Sequence, residues 1–318
     1  MRVLHVVNAY PSESNRVRGI FIKEQIDSLN DIDIESSVFF IDALNKGKFE
    51  YVNAIFSLYK LAKNADVIHA HHVFCAFVCI LSGARNKLVT SFLSDSFNEV
   101  MVGPIWLRKI IYKFVQLNSK KSIFKLHNDK IDEINNFYCP NAVDSDFFVS
   151  IEKKSAREKL GLPFNKKYAL FISGQNLYRP EKRYDLFKAV LHSYSEKYGV
   201  VIDEIALDNA SREELVLYYN AVDFYLLTSD FEGSPNAVKE CLSCNTSVIS
   251  RNVGSVKELL SGLSNSFVVD SEQPKDYHSS INSILTSLVD NNYRTKLKGK
   301  GLDKDFVANK LKEIYESI

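Results

Sequence analysis

Short apolar runs alternate with longer stretches of helical period along this chain, a pattern that builds βα units around parallel sheets. Val3–Val7 reads as a strand, followed by a loop over Asn8 to Arg18 and a helix from Gly19 to Leu29. Further strands are expected at Ser37–Ile41, Val67–His69 and Lys87–Thr90, with helices over Tyr51–Lys63, around Val73 to Leu81 and over Trp106–Leu117. Pro140-Asn141-Ala142-Val143-Asp144 then interrupts the pattern, and a polar stretch runs from Glu152 to Lys159. A second series places strands at Tyr168–Ile172, Phe224–Thr228 and Thr246–Ser250, and helices at Lys182–Lys197, Arg212–Asn220, Tyr277–Val289 and Asp303–Ser317. With 318 residues the chain is long enough for two cores. Two βα halves joined near residue 142 are the simplest architecture.

The net charge of +1 gives no reason to expect a nucleic-acid partner. Five cysteines, an odd number, make no disulfide framework and point to a reducing, cytoplasmic setting. The opening residues lack the charged region, apolar run and small-residue site of a secretory signal. No segment reaches the roughly 18 apolar residues of a membrane span.

The most informative segment is Ser229-Asp230-Phe231-Glu232-Gly233-Ser234-Pro235-Asn236-Ala237-Val238-Lys239-Glu240. It follows the strand Phe224–Thr228, at the edge where open α/β sheets bind ligands. Ser234 is expected to cap a helix and Pro235 to sit in its first turn. The free N–H groups there suit a phosphate, and Gly233 lets a ligand approach the backbone. Glu232 would then stand at the mouth and Glu240 about two turns into the helix. Carboxylates suit vicinal sugar hydroxyls, so one acid near the reacting sugar and one near a ribose is a sensible division. The alternative is a surface helix with two solvated glutamates.

Asn176-Leu177-Tyr178-Arg179-Pro180-Glu181-Lys182-Arg183 follows the strand that ends at Ser173-Gly174. Its three cations can neutralise a diphosphate leaving group without a metal, or can be a solvated turn. The first loop has only Gly19 where a dinucleotide fold wants Gly-x-Gly-x-x-Gly, which argues against a nicotinamide or flavin enzyme. Gly19 either lets a phosphate or sugar approach the N-terminal domain or is a turn residue.

Together these segments resemble glycosyltransferase family 4. The pair Glu232 and Glu240 matches that family's Glu-x7-Glu signature, and Pro140-Asn141-Ala142-Val143-Asp144 looks like its interdomain segment with alanine for glycine. Arg179-Pro180-Glu181-Lys182 looks like its phosphate loop, and Arg18-Gly19-Ile20-Phe21 like the opening of its first helix. The resemblance implies an α/β GT-B fold: two facing Rossmann-like doubly wound parallel-sheet domains with a C-terminal helix crossing back to the first. The boundaries expected are 1–143 for the acceptor side, 144–302 for the donor side and 303–318 for that helix. It implies a retaining transfer of sugar from a nucleotide-sugar donor, with no metal or other cofactor, to a glycan, lipid-linked or other acceptor in cell-surface polysaccharide synthesis. Glu240 would hold the ribose and Glu232 the donor sugar. Arg179 and Lys182 would stabilise the departing diphosphate, helped by backbone at Gly174, Gly19 and Gly233-Ser234-Pro235-Asn236-Ala237.

One departure stands out. The family's Thr-x-His-Gly-Ser-Asp corresponds here to Thr90-Ser91-Phe92-Leu93-Ser94-Asp95, with Phe92 in the histidine's place. Either Ser94 or Asp95 takes the polar role, or activity is reduced or lost; the alternative function is a catalytically silent nucleotide-sugar-binding or scaffold subunit. A sugar-nucleotide hydrolase or epimerase on the same plan is a further alternative.

His69, His71, His72, Cys75 and Cys79 match no tetrahedral zinc spacing and read as core and loop polarity, with His71 or His72 left as contacts for an acceptor. Cys241-Leu242-Ser243-Cys244 lies behind Glu240 and reads as core, and Asp31-Ile32-Asp33 as a turn. Trp106-Leu107-Arg108-Lys109-Ile110-Ile111-Tyr112-Lys113-Phe114, with Lys120, Lys121 and Lys125, is basic and aromatic. It suits either an anionic membrane surface or a docked helix with a cationic outer face. The expected location is therefore the cytoplasm, extending to the inner face of the plasma membrane if that stripe meets lipid.

Overall fold

The computed structural model describes residues 1–12, 15, 17–92, 104–174, 176–287 and 292–318. Asp95 and Ser94, the candidates to replace the family histidine, lie outside them. The chain divides into two compact units: 1–142 with 304–318, and 143–303.

In chain order the first unit contains β1 (Arg2–Val7), α1 (Ile20–Asn30), β2 (Glu35–Phe40), α2 (Ala43–Lys46), α3 (Glu50–Leu61), β3 (Val67–Ala70), α4 (Val73–Leu81), β4 (Leu88–Phe92), α5 (Ile105–Asn118), β5 (Lys121–Phe124) and β6 (Asn136–Tyr138). The second contains α6 (Lys153–Lys159), β7 (Lys167–Ile172), α7 (Tyr184–Tyr198), β8 (Ile202–Leu207), α8 (Arg212–Ala221), β9 (Phe224–Leu227), α9 (Asn236–Ser243), β10 (Ser247–Ser250), α10 (Val256–Leu260), β11 (Phe267–Val268), α11 (His278–Thr286) and α12 (Tyr293–Gly299). The last helix, α13 (Lys304–Glu316), returns to the first unit.

The first sheet runs β2-β1-β3-β4-β5-β6 and the second β11-β10-β9-β7-β8, both parallel throughout. In each sheet the order reverses beside the first strand, between β1 and β3 and between β7 and β9. Loops leaving the carboxyl ends of those pairs diverge and open a crevice.

Strand alternation sorts the first sheet onto two faces. Leu4, Val6, Ile68, Ala70, Leu88, Phe92 and Phe124 meet α3, α4 and α5. On the opposite face Val3, Val67, Val89 and Ile123 meet Val307, Leu311 and Ile314 of α13. Burial on both faces explains the nearly continuous apolar strands. Phe92 is fully buried, its ring 5.1 Å from that of Phe124 and 4.9 Å from that of Tyr112.

The expected elements shift where a local device ends them early. The helix read from Lys182 starts at Tyr184, because Pro180–Lys182 forms a 3₁₀ turn and Arg183 is left-handed (φ 53°). A second 3₁₀ turn, Pro274–Tyr277, delays α11 to His278. The strand read as Ser37–Ile41 begins two residues earlier, at Glu35. Among the described residues no helix is long and apolar enough to cross a membrane.

Candidate active site

At the carboxyl edge of the second sheet, the loops after β7 and β9 are tied together by backbone and side chain. Thr228 donates its hydroxyl to the carbonyls of Lys182 (3.0 Å) and Arg183 (2.9 Å), and Asp230 N–H donates to Glu181 O (2.9 Å). The Arg183 and Arg251 guanidinium groups converge on Asp230, and Arg251 also reaches Glu272 at 3.0 Å. Arg183 is held in its left-handed conformation by these contacts and by Asp185.

The bracing places Lys182 Nζ 2.6 Å from Glu232 Oε1, at the β7/β9 crevice, and Ser229 Oγ donates to the same oxygen at 2.8 Å. Both charged side chains are mostly buried, at 16% and 17% exposure. Arg179 pairs with Glu181 (2.6 Å) and donates to Ser173 O (3.3 Å). Gly174 is left-handed (φ 87°) and has open space where a side chain would stand.

Pro235, and not Ser234, is the N-cap residue of α9, and no side chain caps it. Ser234 instead accepts from the fully buried Lys239 ammonium at 3.0 Å. The start of α9, at Asn236 and Ala237, is therefore without a side-chain cap. Glu240 is the fifth residue of α9, little more than one turn in, because the helix starts later than expected. It is 5% exposed, receiving Arg212 Nη1 at 2.6 Å and Tyr219 Oη at 2.8 Å. Burial and the Glu240 carboxylate push the Tyr219 phenol well above its ordinary range, so it remains a donor. Each carboxylate oxygen keeps a lone pair for a further hydroxyl.

Three buried polar atoms at this edge have no protein partner: Ser173 Oγ, Asn236 Oδ1 and Ser255 Oγ. Such orphans are rare in folded proteins and fit a polar ligand here. A polar cavity of about 300 Å³ lined by Lys153, Lys167, Asp223 and Asn245 opens at the opposite, amino edge of this sheet.

Sequence reasoning missed Gly254, whose role is steric. A methyl group there would lie 2.0 Å from Gly233 O and 2.7 Å from Glu232 O, and φ is +53°. The bare Cα lets Ser255 N–H reach Gly233 O at 2.9 Å and pins the Glu232 loop. Gly254→Ala is expected to cost about 2 kcal/mol or more in urea unfolding and to weaken nucleotide binding. Wild-type stability and affinity in this variant would refute the packing argument. Ser229, Arg212 and Tyr219 were also missed, since ordinary residues in separate elements carry no local signal.

Gly19, in the first unit, is left-handed (φ 68°), but a side chain there would lie 2.3 Å from Ala9 O. The room expected for a ligand beside its Cα is filled by the chain's own backbone.

The histidines rearrange the expected grouping. His71 is buried, its Nε2 3.0 Å from Nδ1 of His5, and His69 bonds Tyr315 (2.7 Å) and Ser91 (2.8 Å) through its two ring nitrogens. His71 is therefore a core residue and not an acceptor contact. His72 accepts from Phe74 N–H at the start of α4, while Cys75 and Cys79 are free thiols in the core. Ring nitrogens of His5, His69 and His71 come within 4.8 Å of one another. They do not fit a metal: both His69 nitrogens are engaged, the His69 and His71 rings stack at 4.0 Å, and the buried Lys125 amine adds positive charge beside them.

Residues 164–301 match the family model described as glycosyl transferases group 1. No curated protein matches the chain. Among solved structures, the chain is similar to sucrose-phosphate synthase from Thermosynechococcus elongatus (TM-score 0.76, 13% identity, covering 99% of this chain and 98% of that one). It is also similar to a glycosyltransferase from Rickettsia africae (0.71, 16%, 99% and 97%) and to HepE from Anabaena in complex with UDP-glucose (0.70, 14%, 100% and 100%). The glycosyl transferases group 1 match over residues 164–301, together with the GT-B fold shared over the whole chain, supports a glycosyltransferase.

Proposed function

We propose that the enzyme transfers a sugar, with retention and without a metal, from a nucleotide-sugar donor to a glycan or lipid-linked acceptor in cell-surface polysaccharide synthesis. The observation that carries the reading is Lys182 against Glu232 at 2.6 Å in the β7/β9 crevice, beside the uncapped start of α9. In this arrangement the α9 N–H groups and Gly174 receive the diphosphate, Arg179 and Lys182 balance the charge it gains on leaving, and Glu232 orients the donor sugar. Glu240, aimed by Arg212 and Tyr219, accepts from the ribose hydroxyls. HepE was solved with UDP-glucose, which makes UDP the first nucleotide to try.

The test is a thermal-shift panel of UDP, GDP, ADP and CMP on the wild type and on Glu240→Gln. Glutamine keeps the size and one acceptor oxygen for Tyr219 but turns its amide donors toward Arg212, whereas alanine removes both acceptors, so the unliganded melting temperatures are compared first. At about 100 times its dissociation constant, the right nucleotide adds roughly 2.7 kcal/mol of stability. We expect one nucleotide to shift the wild type clearly and Glu240→Gln little. No shift with any of them, from folded protein, overturns the donor assignment.

A further inference from the structure

The first unit carries an apolar groove that the donor chemistry does not use. It has a volume of about 530 Å³, within the range of small-molecule sites. Leu44, Val52, Ile55, Phe74, Phe77 and Leu81 form its walls, and Asn8, Arg18 and His72 stand at one end. That end is the carboxyl edge of β1 and β3, the switch point of the first sheet. Arg18 is steadied there by donating to Asn8 O at 2.7 Å.

The groove opens onto a larger apolar surface. On α3 and the residue before it, Phe49, Val52, Phe56 and Tyr59 recur at helical spacing and are 51–82% exposed. On α5, Trp106, Ile110, Phe114 and Leu117 form a second exposed stripe. The two helices flank α4, and Phe114 touches the groove residue Phe77 edge-on at 5.8 Å. An apolar surface of this extent marks an interaction site.

Charge selects the partner. Lys46, Lys48, Lys60 and Lys63 surround the α3 stripe, with Glu50 as the only acid from 43 to 63. Lys109, Lys113 and Lys120 lie exposed on or beside α5, and residues 104 to 128 contain no Asp or Glu. Aromatic and aliphatic side chains ringed by lysines fit an anionic bilayer, where rings sit among headgroups and each cation adds attraction.

We propose that α3 and α5 lie on an anionic membrane and that the groove takes the hydrocarbon chain of a lipid-carried acceptor, with its polar head at Arg18. The inference rests on the transferase reading for the word acceptor; the lipid contacts stand on the first unit alone.

Two measurements on the full chain test it. In sedimentation, the wild type is expected to bind vesicles of phosphatidylcholine with phosphatidylglycerol and not phosphatidylcholine alone. Trp106→Ser combined with Phe56→Ser is expected to weaken this by about tenfold or more without lowering the melting temperature, because both residues are exposed. In calorimetry, dodecyl phosphate is expected to bind and inorganic phosphate not, with Val52→Glu and Leu81→Glu weakening dodecyl phosphate by about tenfold. The nucleotide shift should survive in all four substitutions, so a failure here is separable from a failure of the donor reading. Absent or charge-independent vesicle binding, a solution dimer that uses this face instead, or unchanged dodecyl phosphate binding in the groove variants would overturn the proposal.

Discussion

Lys182→Ala is expected to lower the turnover number for sugar transfer by about two to three orders of magnitude, with a smaller change in the donor KM. The size follows from when the interaction acts. Charge builds on the diphosphate as the sugar–oxygen bond breaks, so a cation fixed beside it stabilises the transition state more than the bound donor. Lys182 is fixed: its carbonyl accepts from Thr228, its N–H donates to Arg179 O at 3.0 Å, and its ammonium rests on Glu232. Glu232 keeps the Ser229 hydroxyl when the ammonium is gone, and its partial exposure lets water replace the rest. The fold should therefore survive, and equal melting temperatures would verify that. Steady-state kinetics over a donor series decides the matter. A turnover number within about threefold of wild type would remove Lys182 from the chemistry.

Much of this site was legible because it is local. The segment Glu232 to Glu240 follows a strand and opens a helix, so one stretch of sequence carried both acids and the uncapped helix start proposed to receive phosphate. The Lys182 cation followed another strand in the same way. What the sequence hid depends on contacts between elements. Gly254 matters only because the Glu232–Gly233 backbone passes against it. Arg212 and Tyr219 sit on α8, more than twenty residues before the glutamate they orient. The capping assignment failed for a related reason. Ser234 is drawn to Lys239, a lysine buried where helix spacing alone suggests a solvated residue.

Strands followed the same division. β7 and β9, apolar and central, read clearly, whereas β8 is an edge strand carrying Asp203 and Glu204, and β5 is four residues with lysines at and just beyond its ends. Neither has the apolar run that identifies a buried strand. The histidines show the same limit. His69 and His71 are close in sequence, but their partner His5 is on β1 and becomes a neighbour only when β1 and β3 pair in register.

That buried histidine set carries the second large expected effect: the first unit should lose stability steeply between about pH 7 and pH 5. His5, His69 and His71 lie on the sheet face covered by α1 and α13, fully buried. Burial pushes His5 down to about 3 and holds His69 and His71 well below the ordinary imidazole range, with the neighbouring rings and the Lys125 amine adding to the effect on the latter two. The folded unit therefore keeps them neutral while the unfolded chain protonates them near pH 6.5. Where the unfolded state binds more protons, stability rises with pH. The stabilisation is thus complete above about 6.5 and is lost as pH falls towards the folded values. For His5 the loss between pH 7 and pH 5 is about 2 kcal/mol, and His69 and His71 act in the same direction. That loss is a sizeable part of a typical folding free energy of roughly 5–15 kcal/mol. At about 2–4 °C per kcal/mol, the melting temperature should fall by several degrees or more. The second unit has no comparable cluster among its described residues, so hydrogen exchange at pH 5 should show amides of β1, β3 and α13 opening before those of β7 and β9. His5→Phe removes one titrating ring and should make the pH profile shallower even if it lowers stability at neutral pH. A flat melting profile down to pH 5, or an unchanged slope in a folded His5→Phe protein, would show that these imidazoles do not couple protonation to folding.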